Sequence, residues 1–316
     1  MTRAELSGAG AAPSQAARRA VTQYRSAVSR PSHPLAVAIV GTLALGGIKL
    51  TVALLTGSRA VMASAADSLG DAVISGVNLL MMRQAAEPPD EGHPWGHGKA
   101  EALASLTQAL LLAAVVVVVA RSAALELWAG QPTAPDTGLA LVGMGISVVG
   151  SFLISVYLMR AAERTGSLVL RADATHYRMD LLTGAAVIAG LIGTRLTGRA
   201  ELDAIAALLV SALMAREVWG LGREAVDELM DRPLPADEVT VIEAALTGLG
   251  GNVRSWHNLR TRRAGPMRFV QVHVTLPATI SFAEAHAEAH RVEDALKAVL
   301  PNVDVIAHAD VEGEAD

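Results

Sequence analysis

The chain has 316 residues, of which 52% are hydrophobic and 18% charged, with a mean hydropathy of +0.38. That balance excludes an ordinary soluble protein and points to a helical chain that crosses a membrane several times. The absence of cysteine excludes disulfides, thiolate ligands and cysteine nucleophiles, and a net charge of −5 gives no basic footing for nucleic acid.

Residues 1–32 are rich in Ala, Ser, Gly and Arg and lack an early apolar core, so they read as a disordered cytosolic tail and not a signal peptide. Six apolar segments follow, near 35–57, 60–83, 101–129, 138–160, 168–195 and 202–221. Each is close to the ~20 residues that a helix needs to span the hydrocarbon core of a lipid bilayer. Lys and Arg crowd the tail, the Arg83 to Lys99 connection, the Arg160 to Arg178 connection and the stretch from Arg216 onward, while the other connections carry few. The positive-inside rule then puts both termini in the cytoplasm, as in a multi-pass protein of the cell inner (plasma) membrane. The expected organisation is a six-helix membrane domain over 33–222, a linker over 223–232, a cytosolic module over 233–312 and a short tail over 313–316.

Within the second and fifth segments, Asp67 and Asp71, and His176 and Asp180, stand four residues apart. Such pairs share one face of a helix, about a turn apart. Asp71 lies twelve residues from Arg83 and Asp180 twelve from Leu168, so at ~1.5 Å per residue the two pairs reach similar depths and can meet near the midplane. One imidazole and three carboxylates suit tetrahedral Zn2+ and tolerate Fe2+, Cd2+ or Mn2+; Mg2+ and Ca2+ want an all-oxygen shell. Helix capping by Asp67 and Asp180 and a satisfied core His176 would account for such residues singly, but not for four in matched pairs inside a membrane. Because metal binding needs neutral imidazole and ionised carboxylates, ions and protons compete for the same atoms. The expectation is metal efflux coupled to proton entry by alternating access.

In the connection that follows the second segment, Asp90, His93 and His97 gather one carboxylate and two imidazoles in D-x-x-H-x-x-x-H spacing, enough for a second ion. Past Pro233 the composition becomes that of a soluble α+β domain: helix over 237–248, strands over 253–261 and 269–276, helix over 282–300 and strand over 303–309, in the order αββαβ. Gly265-Pro266 marks the hairpin turn, and Ser281 with Glu284 fits a capping box. Five of the nine histidines fall here: His257, His273, His286, His290 and His308, joined by Asp310. Together they read as a binuclear site stitched from separate elements, with His290 one ligand more than such a site uses.

Five motifs carry a resemblance to a known family. They are Ala66-Asp67-Ser68-x-x-Asp71, His93-x-x-Gly96-His97-Gly98-Lys99-Ala100-Glu101, Arg171-Ala172-Asp173-x-x-His176-x-x-x-Asp180, Asp231-Arg232-x-Leu234-Pro235 and His257-x-Leu259-Arg260-Thr261-Arg262. Over residues 35–310 the chain resembles the cation diffusion facilitator family, in particular its bacterial zinc and ferrous-iron efflux branch of dimeric proton antiporters. The resemblance implies a transport site at Asp67, Asp71, His176 and Asp180, a loop site at Asp90, His93 and His97, and a cytosolic binuclear site at His257, His273, His286, His308 and Asp310. It also implies a V- or Y-shaped homodimer, joined through the cytosolic domain and membrane helices, with Zn2+ as substrate and regulatory ligand, and a charge interlock between Lys99 and Asp231. Two departures are Ala309, where a polar residue is sometimes used, and the long tail before Leu35. A membrane-embedded metallohydrolase fits less well, because four ligands close the cage and no separate general base stands nearby. A membrane-anchored metal sensor leaves Asp67 to Asp180 unexplained.

Overall fold

A computed structural model describes residues 32–56, 59–129, 139–197 and 201–313. The expected tail over 1–32 and the last three residues lie outside this description, apart from Ser32. Six long helices come first: α1 (Ser32–Thr56), α2 (Arg59–Ala85), α3 (Ala100–Ala129), α4 (Leu139–Thr165), α5 (Leu168–Thr197) and α6 (Glu201–Leu229). Segments of α1, α3, α4 and α6 are apolar enough, as well as long enough, to cross a membrane: His33–Thr51, Ala100–Leu125, Gly145–Thr165 and Ala204–Leu229. The helices α2 and α5 have the length, but the acidic and basic residues of the ligand motifs dilute their apolar character.

The bundle pairs α1 with α2, α4 with α5, and α3 with α6, so the third helix packs on the sixth and not chiefly on its sequence neighbours. One core joins Leu35, Met82, Leu158, Leu170 and Tyr177; another joins Leu112, Met179, Met214, Val218 and Leu221. Polar side chains sit inside as well, including Ser75, Asn78, Gln108 and Asp173, while Leu80, Leu111, Leu153 and Leu209 face outward. Polar groups within and leucines without is the inversion expected of a bundle whose solvent is lipid.

Between α4 and α5 the chain turns at Gly166, whose φ of +67° is open to glycine and strained for other residues. At the other end, α6 runs unbroken to Leu229, past the expected domain boundary at residue 222. The charges after Arg216 do not stop the helix; Arg223 and Asp227, one turn apart along it, lie 3.9 Å apart.

The second unit comprises α7 (Ala236–Thr247), β1 (Ser255–Ala264), β2 (Met267–Leu276), α8 (Phe282–Val299) and β3 (Val303–Val311). The sheet order is β1-β2-β3, antiparallel across the hairpin and parallel between β2 and β3, for which α8 is the crossover. Val270, Val272 and Val274 alternate onto one face and pack under Ile242, Leu246, Val292 and Leu296 of the two helices. Gln271, His273 and Thr275 therefore project from the opposite face. The capping box at Ser281 and Glu284 is formed, with both reciprocal hydrogen bonds present.

Candidate metal sites

Ligand atoms of Asp71, His176 and Asp180 lie within 4.8 Å of one another, between α2 and α5. His176 Nε2 is 2.8 Å from Asp71 Oδ1 and 3.8 Å from Asp180 Oδ2. His176 is nearly buried, whereas Asp180 is 39% exposed, so the cluster is reached from the Asp180 side. Asp67 stands one turn before Asp71 on α2, and its side chain lies outside the described ones. An imidazole and a carboxylate at 2.8 Å share a proton, and a divalent ion needs the lone pairs that the proton occupies.

One turn closer to the second unit lies a buried polar network. Ser75 Oγ is 3.0 and 2.9 Å from the two carboxyl oxygens of Asp173, and Asn78 Nδ2 donates to Asp173 Oδ1 at 3.2 Å and to Gln108 Oε1 at 2.7 Å. Tyr177 Oη lies 3.1 Å from Ser75 Oγ and 2.8 Å from Thr42 Oγ1. Thus α1, α2, α3 and α5 are tied together beneath the His176 cluster. The network was not foreseen from the motifs, yet a signal exists: residues 67, 71, 75 and 78 form one polar stripe along α2.

In the α2–α3 connection, Asp90, His93 and His97 converge within the same 4.8 Å limit. Asp90 Oδ1 accepts the His93 backbone N–H at 2.6 Å, which holds the Asp90 carboxyl below the usual carboxylate range. His93 Nδ1 and His97 Nε2 each stand 3.4 Å from Asp90, and His97 Nδ1 is buried without a hydrogen-bond partner.

On the open face of the sheet, His257, His273 and His308 form a row, paired across β1, β2 and β3. Asp310 Oδ2 is 3.2 Å from His257 Nε2 and 3.0 Å from His273 Nδ1, while Asp310 Oδ1 is 3.1 Å from His308 Nε2. Asn258, at φ +49° in a β-bulge after His257, brings Nδ2 to 3.4 Å from His273 Nε2. It is a further neighbour of the row that spacing alone did not reveal.

The transmembrane domain of cation efflux proteins matches residues 35–230, and the cytoplasmic domain of the same proteins matches residues 234–312. The chain belongs to the cation efflux family. The cation-efflux pump FieF of Klebsiella pneumoniae subsp. pneumoniae is 34% identical over 287 residues, 91% of this chain and 94% of that protein. FieF of Serratia proteamaculans is 33% identical over 277 residues, 86% of this chain and 91% of the relative. A solved structure of the Zn form of CzrB is 34% identical, covering 27% of this chain and 98% of the other, with a TM-score of 0.26.

In this cation efflux protein the two domains meet at a tight joint. Lys99 Nζ is 2.9 Å from Asp231 Oδ1 and 3.2 Å from the Leu229 carbonyl, and Arg262 reaches the same Asp231 oxygen at 3.4 Å. The β1–β2 hairpin tip seats on the start of α3: Ala264, Gly265 and Gly98 are all buried, and a Cβ at Gly98 would come within 2.8 Å of the Ala264 carbonyl carbon. Trp95 of the loop packs edge-on against Phe269, with the Arg262 guanidinium 5.1 and 4.3 Å from the two ring centroids.

Within the single chain, one predicted ligand stands apart from the row. His286 does not join the His257, His273, His308 and Asp310 row within the chain, because α8 covers the valine face of the sheet and the row lies on the other. His286 instead contacts Phe282 and His290 of its own helix.

Proposed function

We propose that the protein exports a divalent metal cation, zinc in the first place, from the cytoplasm in exchange for protons by alternating access. The reading rests on one observation: ligand atoms of Asp71 on α2 and of His176 and Asp180 on α5 lie within 4.8 Å of one another. Asp67, one turn before Asp71, completes the set of three carboxylates and one imidazole in this proposal. That set favours Zn2+, Cd2+ and Fe2+ over Mg2+ and Ca2+, with Mn2+ still accommodated. Proton and metal occupy the same lone pairs, so loading the site with protons from outside expels the ion and an inward proton gradient drives export.

Six spans with both termini cytoplasmic, in the inner membrane, complete the proposed topology. The proposed assembly is a homodimer, joined through the cytoplasmic domain and the membrane helices. Asp90, His93 and His97 are proposed as a second, loop-borne metal site. His257, His273, His286, His308 and Asp310 are proposed as a regulatory binuclear site of the homodimer; one carboxylate, Asp310, with each oxygen turned to a different set of imidazoles suits a bridge between two ions. Lys99 and Asp231 are proposed to fix the orientation of the cytoplasmic domain, since an exposed pair contributes only about 0–1 kcal/mol to stability.

Proteoliposomes with an imposed pH gradient test the core of this reading. Zinc and protons are expected to move in opposite directions, and Asp71→Ala or His176→Ala to abolish zinc flux. Normal proton-linked flux in Asp67→Ala plus Asp180→Ala would overturn the site assignment.

A further inference from the structure

Lys49 lies in the membrane-crossing segment His33–Thr51 of α1, where an ammonium group is costly unless an opposite charge stands near. It is the one Lys or Arg of that helix, and only 6% of it is exposed. Its Nζ donates to Ser68 Oγ of α2 at 2.6 Å. The two helices run close at this level: a Cβ on Gly46, three residues before Lys49, would lie 3.4 Å from Leu69 Cδ2 and 3.5 Å from Ser68 Cβ. A hydroxyl is neutral and cannot balance the charge. Along α1 and α2 together the only acidic residues are Asp67 and Asp71, one residue before Ser68 and three after it. Residues three apart on a helix have Cβ atoms roughly 5–6 Å apart, which places the ammonium beside the cluster of Asp71, His176 and Asp180. An ammonium has no lone pair to offer a metal, so Lys49 acts on that cluster by charge.

We infer that Lys49 is the resident counter-cation of the transport site, a positioning residue whose fixed charge offsets one of the three carboxylates. The inference rests on the transport reading proposed above. With neutral imidazole, three carboxylates around a divalent ion leave one negative charge in excess; Lys49 makes the loaded site neutral. Neutrality is the less costly condition for a site removed from water. A fixed positive charge also weakens the hold on any cation, so the ion can be given up at the end of a crossing. A monovalent ion leaves the same site short of positive charge. Lys49 thus matches the site to divalent cargo and keeps its affinity low enough for turnover.

Zinc flux through the full-length protein in proteoliposomes, measured against zinc concentration under an imposed pH gradient, tests the assignment. Lys49→Met is expected to lower KM by about tenfold or more and to lower the maximal rate as well. A unit charge several ångströms away, at an effective dielectric constant of ~20, is enough for a shift of that size. Lys49→Gln keeps a donor for Ser68 but removes the charge; the same two shifts are expected, which separates the charge from the hydrogen bond. Lys49→Arg is expected to return KM to within about threefold of the wild type. Loss of a merely structural contact raises KM or lowers the rate; it does not tighten the hold on zinc. A KM unchanged or raised, or no flux at all, in both neutral variants beside an active wild type would overturn the inference alone. Absence of proton-linked zinc flux in the wild type would overturn the transport reading, and the inference with it.

Discussion

Replacing Asp173 by Ala removes the acceptor shared by Ser75 and Asn78, two donors with 0% and 4% exposure. Leaving a buried donor unsatisfied costs about 1–3 kcal/mol, so two of them cost roughly 2–6 kcal/mol before any loss of packing. Ser75→Ala alone leaves Asp173 one donor short and is expected to cost about 1–3 kcal/mol. In the double variant Ser75 no longer has a hydroxyl to leave stranded, and only Asn78 pays the desolvation penalty. The double variant is therefore expected to be less damaged than the sum of the singles by about 2–6 kcal/mol. Equilibrium unfolding in mixed detergent micelles, followed by helical circular dichroism, measures all four corners of the cycle. Additivity within about 0.5 kcal/mol would refute the network as drawn, and would mean that Ser75 and Asp173 are satisfied independently. Asp173→Asn, which keeps one oxygen toward both donors, is expected to retain most of the stability that Asp173→Ala loses.

Glu238 Oε2 and Oε1 accept from Arg268 at 2.6 and 2.8 Å, and this pairing holds the Glu238 carboxyl below its ordinary value. A depressed value means stability that is full above the unfolded-state value of about 4.3 and is lost as pH falls through the folded one. The melting temperature of wild type is therefore expected to exceed that of Glu238→Gln at neutral pH, with the gap closing below about pH 4; a constant gap down to pH 3 would count against the pairing. Gly98→Ala is expected to push the hairpin tip away from α3, since the obstructing atoms are backbone. The chain has no cysteine, so maleimide labelling of Pro266→Cys reads the joint directly, and labelling no faster in the Gly98→Ala background would refute the close fit. A double-mutant cycle on Lys99 and Asp231 is expected to show a coupling of only about 0–1 kcal/mol, because the two side chains are 37% and 47% exposed; a coupling of several kcal/mol would mean that the pair is a stability element after all.

Much of the architecture was legible because apolar periodicity is a local property. Six blocks of membrane length and the αββαβ order followed from the runs between Leu35 and Val311 and from the turn at Gly265-Pro266. The domain boundary was less legible: charges begin at Arg216, but a helix with favourable i,i+4 pairs continues past them, as α6 does to Leu229. Metal ligands at i and i+4 were visible because helical spacing is fixed, whereas partners from other helices, such as Gln108 for Asn78, depend on which helices pack together. The alternation in β2 sends Val272 and Val274 one way and His273 the other, and a helix rich in Val292 and Leu296 must cover the valines.

The joint between the domains also says how a change in one reaches the other. The hairpin tip touches the start of α3 through Gly98, the α4–α5 turn through Gly166, where a Cβ would lie 2.8 Å from an Arg263 guanidinium nitrogen, and the end of α6 through Glu228, which accepts the Gly265 N–H at 2.7 Å. Two of those helices, α3 and α6, pack on each other, while α5, entered from the Gly166 turn, carries Asp173, His176 and Asp180. Any rotation of the cytoplasmic domain that carries the hairpin with it must therefore move the α3–α6 pair, deform the entry to α5, or break the backbone contact at Gly98. Close-packed backbone leaves no slack for a fourth option. Within the bundle, the hydrogen bond from Asn78 to Gln108 is a polar tie between α2 and α3. A displacement of the α3–α6 pair away from α2 must break that tie.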